Sequence, residues 1–228
     1  MMDAGRSFSG NERNCCFLNI GNGTFADISG ISGLDYPDDA RAIATTDWDN
    51  DGDLDLWISN RNGPRLRLMR NDNNNSNRFI SFQLKGNGIS SNKDAIGARI
   101  EINPNGKKGN PTLIQTLRAG QGFLSQSSKF VHFGLGPSTN TINIQIRWPD
   151  GSIDSFQKIS TNKRYLIEQR NPKLTELRPR NEAIKLSPSA AQRNEPQSTA
   201  RTPAITLFKA PNFTFPTKDG KRKILPQG

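Results

Sequence analysis

The chain has 228 residues, of which 32% are apolar and 23% charged, and its mean hydropathy is −0.70. That length affords one good-sized core, while the low apolar share predicts that part of the chain stays unpacked. Two adjacent cysteines, Cys15 and Cys16, and one histidine argue against a disulfide scaffold, a Cys/His zinc site and a His-based catalytic triad of familiar spacing. The apolar runs are too short for a membrane-spanning helix.

The net charge of +10 hides a reversal along the chain. Residues 1–75 hold 7 bases against 12 acids, residues 76–170 hold 13 against 5, and residues 171–228 hold 11 against 4. The bases are scattered rather than gathered on one motif with interleaved aromatics, so nucleic acid is not the expected partner. A solvated surface and a basic tail account for them.

In chain order, Phe17-Leu18 is the first strand signal, and the alternation there places Cys15 and Cys16 on opposite sides. Neighbouring cysteines do not bridge each other without strain. Residues 42–45 and 54–58 alternate like strands and flank an acidic loop. Asn71 to Asn77 carries no apolar residue and predicts a loop or linker. Ile80, Phe82 and Leu84 alternate with polar residues, as do Ala98, Ile100 and Ile102, and then Ile142, Ile144, Ile146 and Trp148. Trp148-Pro149-Asp150-Gly151 predicts a β-turn, and Arg164 to Glu168 a last strand with Tyr165 and Ile167 on one side. No helical periodicity of ten residues or more precedes about residue 174, so the expected fold class is all-β. Ile80, Phe82, Ile100, Phe133, Leu135, Ile144, Ile146 and Trp148 are the expected core of a small antiparallel domain. Residues 171–202, rich in Pro and Ser, predict a flexible linker, and residues 203–228 are too short to fold alone.

The strongest chemical signal lies between Asp35 and Asp55, where eight of the 21 acids stand against one base, Arg41. Asp47-Trp48-Asp49-Asn50-Asp51-Gly52-Asp53-Leu54-Asp55 puts a carboxylate at every second position, and such a loop repels itself unless a cation neutralises it. Calcium, a hard cation that tolerates crowded carboxylates, fits that pattern, and Gly52 supplies the sharp turn. The expected side-chain ligands are Asp47, Asp49, Asp51 and Asp55, with the carbonyl of Asp53 completing the shell. An EF-hand is excluded, because the twelfth position is Ile58 rather than Glu and the flanks are strands. The competing interpretation is a solvated acidic turn without metal.

Other candidates resolve to structural roles. Gly120-Gln121-Gly122 opens no strand–turn–helix unit and predicts a turn rather than a phosphate cradle. His132 shares a strand face with Phe130, with no acid or thiol placed beside it, and is expected to pack rather than to act as ligand or base. No acid–base pair or nucleophile–base couple emerges, so no turnover is expected. Asn22, Asn74 and Asn212 fit the glycosylation sequon.

Asn22-Gly23-Thr24-Phe25-Ala26-Asp27 followed by Asp-x-Asp-x-Asp-Gly-x-x-Asp resembles an FG-GAP/VCBS repeat, the calcium-looped blade of integrin-type β-propellers. Arg78 to about Gln169 resembles the ASPIC/UnbV domain. The matching pieces are Asn92 to Arg99, Gly120 to Ser128, Phe133-Gly134-Leu135-Gly136 and Arg147-Trp148-Pro149-Asp150-Gly151. The resemblance implies a repeat remnant over residues 1–75 and an ASPIC/UnbV domain over 78–170. It implies an exported protein, extracellular or of the cell envelope, that binds a protein or glycan ligand without catalysis. The opening residues Met1 to Arg6 carry no apolar run of the kind a secretory signal needs, so no such signal is expected there. A single blade cannot bury its own faces. Either the chain is a fragment whose remaining blades lie elsewhere, on a separate chain included, or the blade packs on the ASPIC/UnbV domain; the fragment is the expectation. Ala210-Pro211-Asn212-Phe213-Thr214-Phe215 with Asp219-Gly220 resembles the entry strand of a redoxin, which implies as the alternative the non-catalytic portion of an oxidoreductase whose thiol domain is missing.

Overall fold

The fold was analysed in a computed structural model that describes residues 12–61, 63–73, 76–104, 112–137, 141–171, 173–178, 214–216 and 222–224. Every regular element among them is a strand. Residues 38–178 belong to one compact unit, and residues 12–37 and the C-terminal strand pair to a second.

In the second unit β1 (Phe17–Gly21) and β2 (Thr24–Asp27) form an antiparallel hairpin. Asn22 and Gly23 both take left-handed backbone, with φ of 54° and 73°, which matches the twist of a two-residue hairpin turn. Cys15 is exposed and Cys16 half-buried, and the Cys16 N–H donates to Ser29 Oγ. The strands β14 (Thr214–Pro216) and β15 (Arg222–Ile224) also pair antiparallel. The rest of the redoxin-like segment, the linker from residue 179 to 202, and the sequons at Asn74 and Asn212 lie outside the described residues.

The first unit begins with a three-stranded antiparallel sheet of β3 (Ala40–Thr46), β4 (Asp55–Asn60) and β5 (Leu66–Met69). After it come two four-stranded sheets. One orders β11 (Ile153–Ser160), β10 (Thr141–Arg147), β7 (Arg99–Pro104) and β8 (Leu113–Thr116). The other orders β13 (Leu174–Leu177), β12 (Lys163–Glu168), β6 (Arg78–Lys85) and β9 (Phe130–Gly136). Both sheets contribute to one apolar cluster. Ile80, Phe82, Phe133, Tyr165 and Ile167 come from the β6 sheet, and Ile100, Ile102, Ile144, Ile146 and Phe156 from the β10 sheet, with Trp148 just beyond β10. The alternating strands thus bury one face each against the facing sheet. Of the expected core residues, Leu135 alone is only partly buried, packed against the cluster's edge.

Two expectations change. The domain is not wholly antiparallel, because β6 and β12 run parallel from Lys163↔Ile80 to Glu168↔Lys85. The chain between them travels through the other sheet, a crossover long enough to return β12 in the same direction. The strand at Arg164–Glu168 is also not the last. Leu174–Leu177 continues the sheet as β13, where composition predicts linker, because Leu174 finds an apolar seat against the core.

The β-turn after β10 forms as expected. The Gly151 N–H donates to the Trp148 carbonyl at 2.9 Å, and Gly151 has a φ of 84°. Asp150 is held well below the usual carboxylate range by hydrogen bonds from Ser152, through hydroxyl and N–H, and from the Ser90 hydroxyl, with Gln169 adding a further one.

Candidate metal centre

The β3–β4 pairing closes on Thr46↔Asp55, so residues 47–54 form the connecting loop. Asn50, with φ of 65°, and Gly52, with φ of 102°, turn the backbone back on itself. The Asp53 N–H donates to Asp51 Oδ1 at 2.8 Å, an Asx turn that tightens the loop. These reversals bring Asp47, Asp49 and Asp51 together, each offering one carboxylate oxygen within 4.8 Å of the others.

The other two expected site residues stand differently. Asp55 is fully buried, and its two oxygens accept the N–H groups of Trp48 at 2.7 Å and Asn71 at 2.8 Å. It ties the loop's start to the segment that follows β5. Asp53 is half-buried and its side chain lies outside the triad.

The electrostatics of the triad are those of a charge cluster only partly compensated. Asp47 is 7% exposed, and neither of its oxygens has a well-formed hydrogen bond; Asp49 Oδ1 is also buried and unpaired. Burial pushes the Asp47 carboxyl up to about 6, with the Asp51 and Asp49 charges adding and the Arg164 guanidinium and Gly52 amide opposing. Asp51 is raised as well, by burial first and then by Asp49, Asp53 and Asp55. Cations nearby stay at arm's length: Arg70 Nε is 3.9 Å from Asp49 Oδ2, and Arg164 Nη2 is 3.9 Å from Asp47 Oδ2. A buried, unpaired carboxylate is costly, and a bound cation removes that cost. The oxygen-only donor set Asp47, Asp49 and Asp51 can hold a hard metal ion.

The loop also rests on the domain that follows it. Thr45 donates its N–H to Ser127 Oγ at 3.1 Å and accepts the Ser128 N–H at 2.8 Å. Arg164 of β12 donates through Nη1 to Asn50 Oδ1, and its guanidinium lies 4.5 Å from the Phe130 ring centroid. Phe79 of β6 lies against Gly52 so closely that a Cβ there would enter the ring. Arg164 and Phe79 had no sequence signal linking them to the loop. Asn50 and Arg164 are 114 residues apart, and Phe79 is an ordinary alternating residue at a strand start. His132 packs as expected: its imidazole stacks on Phe79 with centroids 5.5 Å apart, and burial, helped by the Arg164 charge, pushes its pKa down to about 4.

Fold and loop together define, over the described residues, an all-β chain in which a hairpin with an acidic loop precedes a two-sheet domain. Residues 7–58 match the family model of the FG-GAP-like repeat, and residues 88–174 match that of ASPIC and UnbV. The chain therefore carries an FG-GAP-like repeat followed by an ASPIC/UnbV domain. A 70-residue stretch is 36% identical to cartilage acidic protein 1 of Xenopus tropicalis, covering 30% of this chain and 11% of that protein. A 60-residue stretch is 43% identical to cartilage acidic protein 1 of Mus musculus, covering 25% and 9%. The similarity spans about a tenth of those relatives' length.

Proposed function

We propose that this chain is a non-catalytic, calcium-binding β module through which a longer, exported protein engages a protein or glycan ligand. The carrying observation is Asp47, a buried carboxylate in the aspartate triad with neither oxygen hydrogen-bonded and its cationic neighbour, Arg164, no closer than 3.9 Å. Calcium rather than magnesium suits the loop, because adjacent carboxylates in an irregular turn match a large, flexible coordination shell better than a strict octahedron. Asp55 and the Asp53 carbonyl complete the proposed ligand set. No helix among the described residues is long and apolar enough to cross a membrane. An extracellular setting, where calcium stands at millimolar levels, draws support from relatives named for cartilage. Further β units are the proposed neighbours of the repeat, since the hairpin β1–β2 exposes Phe17, Ile20 and Phe25, and two strands do not stand alone in water.

Thermal unfolding of the full chain in calcium, in magnesium and in EDTA tests the calcium reading. The expected result is a melting temperature that rises with calcium, rises less with magnesium, and falls back on chelation. A melting temperature indifferent to all three refutes it.

A further inference from the structure

We propose that the ASPIC/UnbV domain forms the back wall of the cation loop, with Phe79 and Arg164 as its positioning residues, so that cation binding and the integrity of that domain are coupled. The inference rests on the calcium reading and extends it to residues of a different module. The loop touches the domain at its two left-handed positions, where the backbone is least able to hold its shape unaided. At Gly52, φ is 102° and the Phe79 ring fills the space a side chain would take. At Asn50, φ is 65° and the side-chain carbonyl is held by Arg164.

Both wall residues are themselves fixed. The backbone of Phe79 is tied to the β11–β12 turn, its N–H donating to Asn162 Oδ1 at 3.1 Å and its carbonyl accepting the Asn162 N–H at 2.7 Å. Its ring is stacked on His132 of β9. Arg164 is sandwiched between Phe130 and the loop, with its side chain only 13% exposed. The Thr45 backbone pair with Ser127 and Ser128 holds the loop's entry. Three strands of the β6 sheet thus set the positions from which Asp47, Asp49 and Asp51 converge. An outer layer of this kind orients the ligands without touching the ion, and its loss commonly costs about 10–100-fold in metal affinity. The coupling is reciprocal: whatever factor the wall adds to cation affinity, the cation returns as stability of the wall.

The test uses the full chain and calcium itself. Calcium affinity is measured by competition with a chromophoric chelator in the wild type and in three variants. Phe79→Ala changes no charge, Arg164→Lys keeps the charge and loses the guanidinium fork, and Lys85→Gln alters a distant surface residue. The expected result is a dissociation constant weakened about tenfold by Phe79→Ala and by Arg164→Lys, and unchanged by Lys85→Gln. Hydrogen exchange on the wild type provides a second readout that requires no variant to fold. Calcium should slow exchange in β6 and β12 as well as in β3 and β4. Wild-type affinity in both wall variants, or calcium protection confined to residues 38–73, overturns the proposal. If the wild type binds no calcium at all, the calcium reading itself falls and takes this inference with it.

Discussion

The two-sheet ASPIC/UnbV domain and the acidic β3–β5 sheet sit in one compact unit, yet they bury opposite kinds of side chain. The domain's interior is Ile, Phe, Leu and Ala from both sheets, and its large polar-edged residue, Trp148, satisfies its indole N–H on Asp154 at 2.7 Å. The acidic sheet buries Asp38, Asp39, Asp47, Asp55 and Asn60 around the apolar Ile58. Apolar area stabilises the first without directional demands. The second holds together only where each buried charge meets a donor. Asp38 has Arg67 and Asn60, Asp39 has Arg41, and Asp55 has two backbone N–H groups. Asp47 alone in this set has neither oxygen hydrogen-bonded. A region stabilised by compensation is complete only when its last charge is compensated, and that charge belongs to the triad that could hold a metal ion.

The largest effect should come from the dry region. Trp148 is 2% exposed, so Trp148→Ala should destabilise the chain by about 3–5 kcal/mol in chemical denaturation. A loss below about 1 kcal/mol would break the contrast, since the domain would then not depend on its filled interior.

Next comes the cation. Calcium at a hundredfold excess over its dissociation constant should add about 2.7 kcal/mol to the stability of the wild type. Asp49→Asn combined with Asp51→Asn should abolish that gain while leaving the Trp148 region intact. A double variant that calcium still stabilises in full would place the ion elsewhere.

A smaller effect is expected at Gly52. An alanine there must hold a φ of 102° and push its methyl into the Phe79 ring, so Gly52→Ala should cost more than about 1 kcal/mol even in EDTA. Wild-type stability in that variant would show that the loop and the wall are not in register.

The smallest signal is the pH slope of the ion-free chain, in which Asp47, joined by the raised Asp51, opposes His132. Asp47 has its folded value raised from 3.8 to about 6, so the folded state binds more protons between those values and stability falls as pH rises through that window. His132 is lowered from 6.5 to about 4, so the unfolded state binds more protons and stability rises with pH over nearly the same range. Urea titrations between about pH 4 and 6.5 in EDTA should therefore show a shallower slope in the wild type than either group alone would give. His132→Phe should expose the falling slope of Asp47, and a rising slope in that variant would contradict the assignment.

Much was legible in the residues because the physics involved is local. The alternation of Ile142, Ile144, Ile146 and Trp148 specifies which side of a strand avoids water, and all four are buried. The spacing of Asp47, Asp49 and Asp51 around Gly52 specifies a loop whose carboxylates converge, and the triad forms. The sequence also told β strands from helices throughout the described chain, since a period of two leaves no helical stripe. Tertiary structure alone decided which strands are neighbours. The parallel β6–β12 pair, the addition of β13 from residues of linker-like composition, and the contact of Arg164 with Asn50 across 114 positions follow from how the faces pack. Backbone hydrogen bonds carry no residue identity, so alternation states what a strand buries but not against which partner. The partner is chosen by the fit of the whole core, which here also set Phe79 and Arg164 behind the acidic loop.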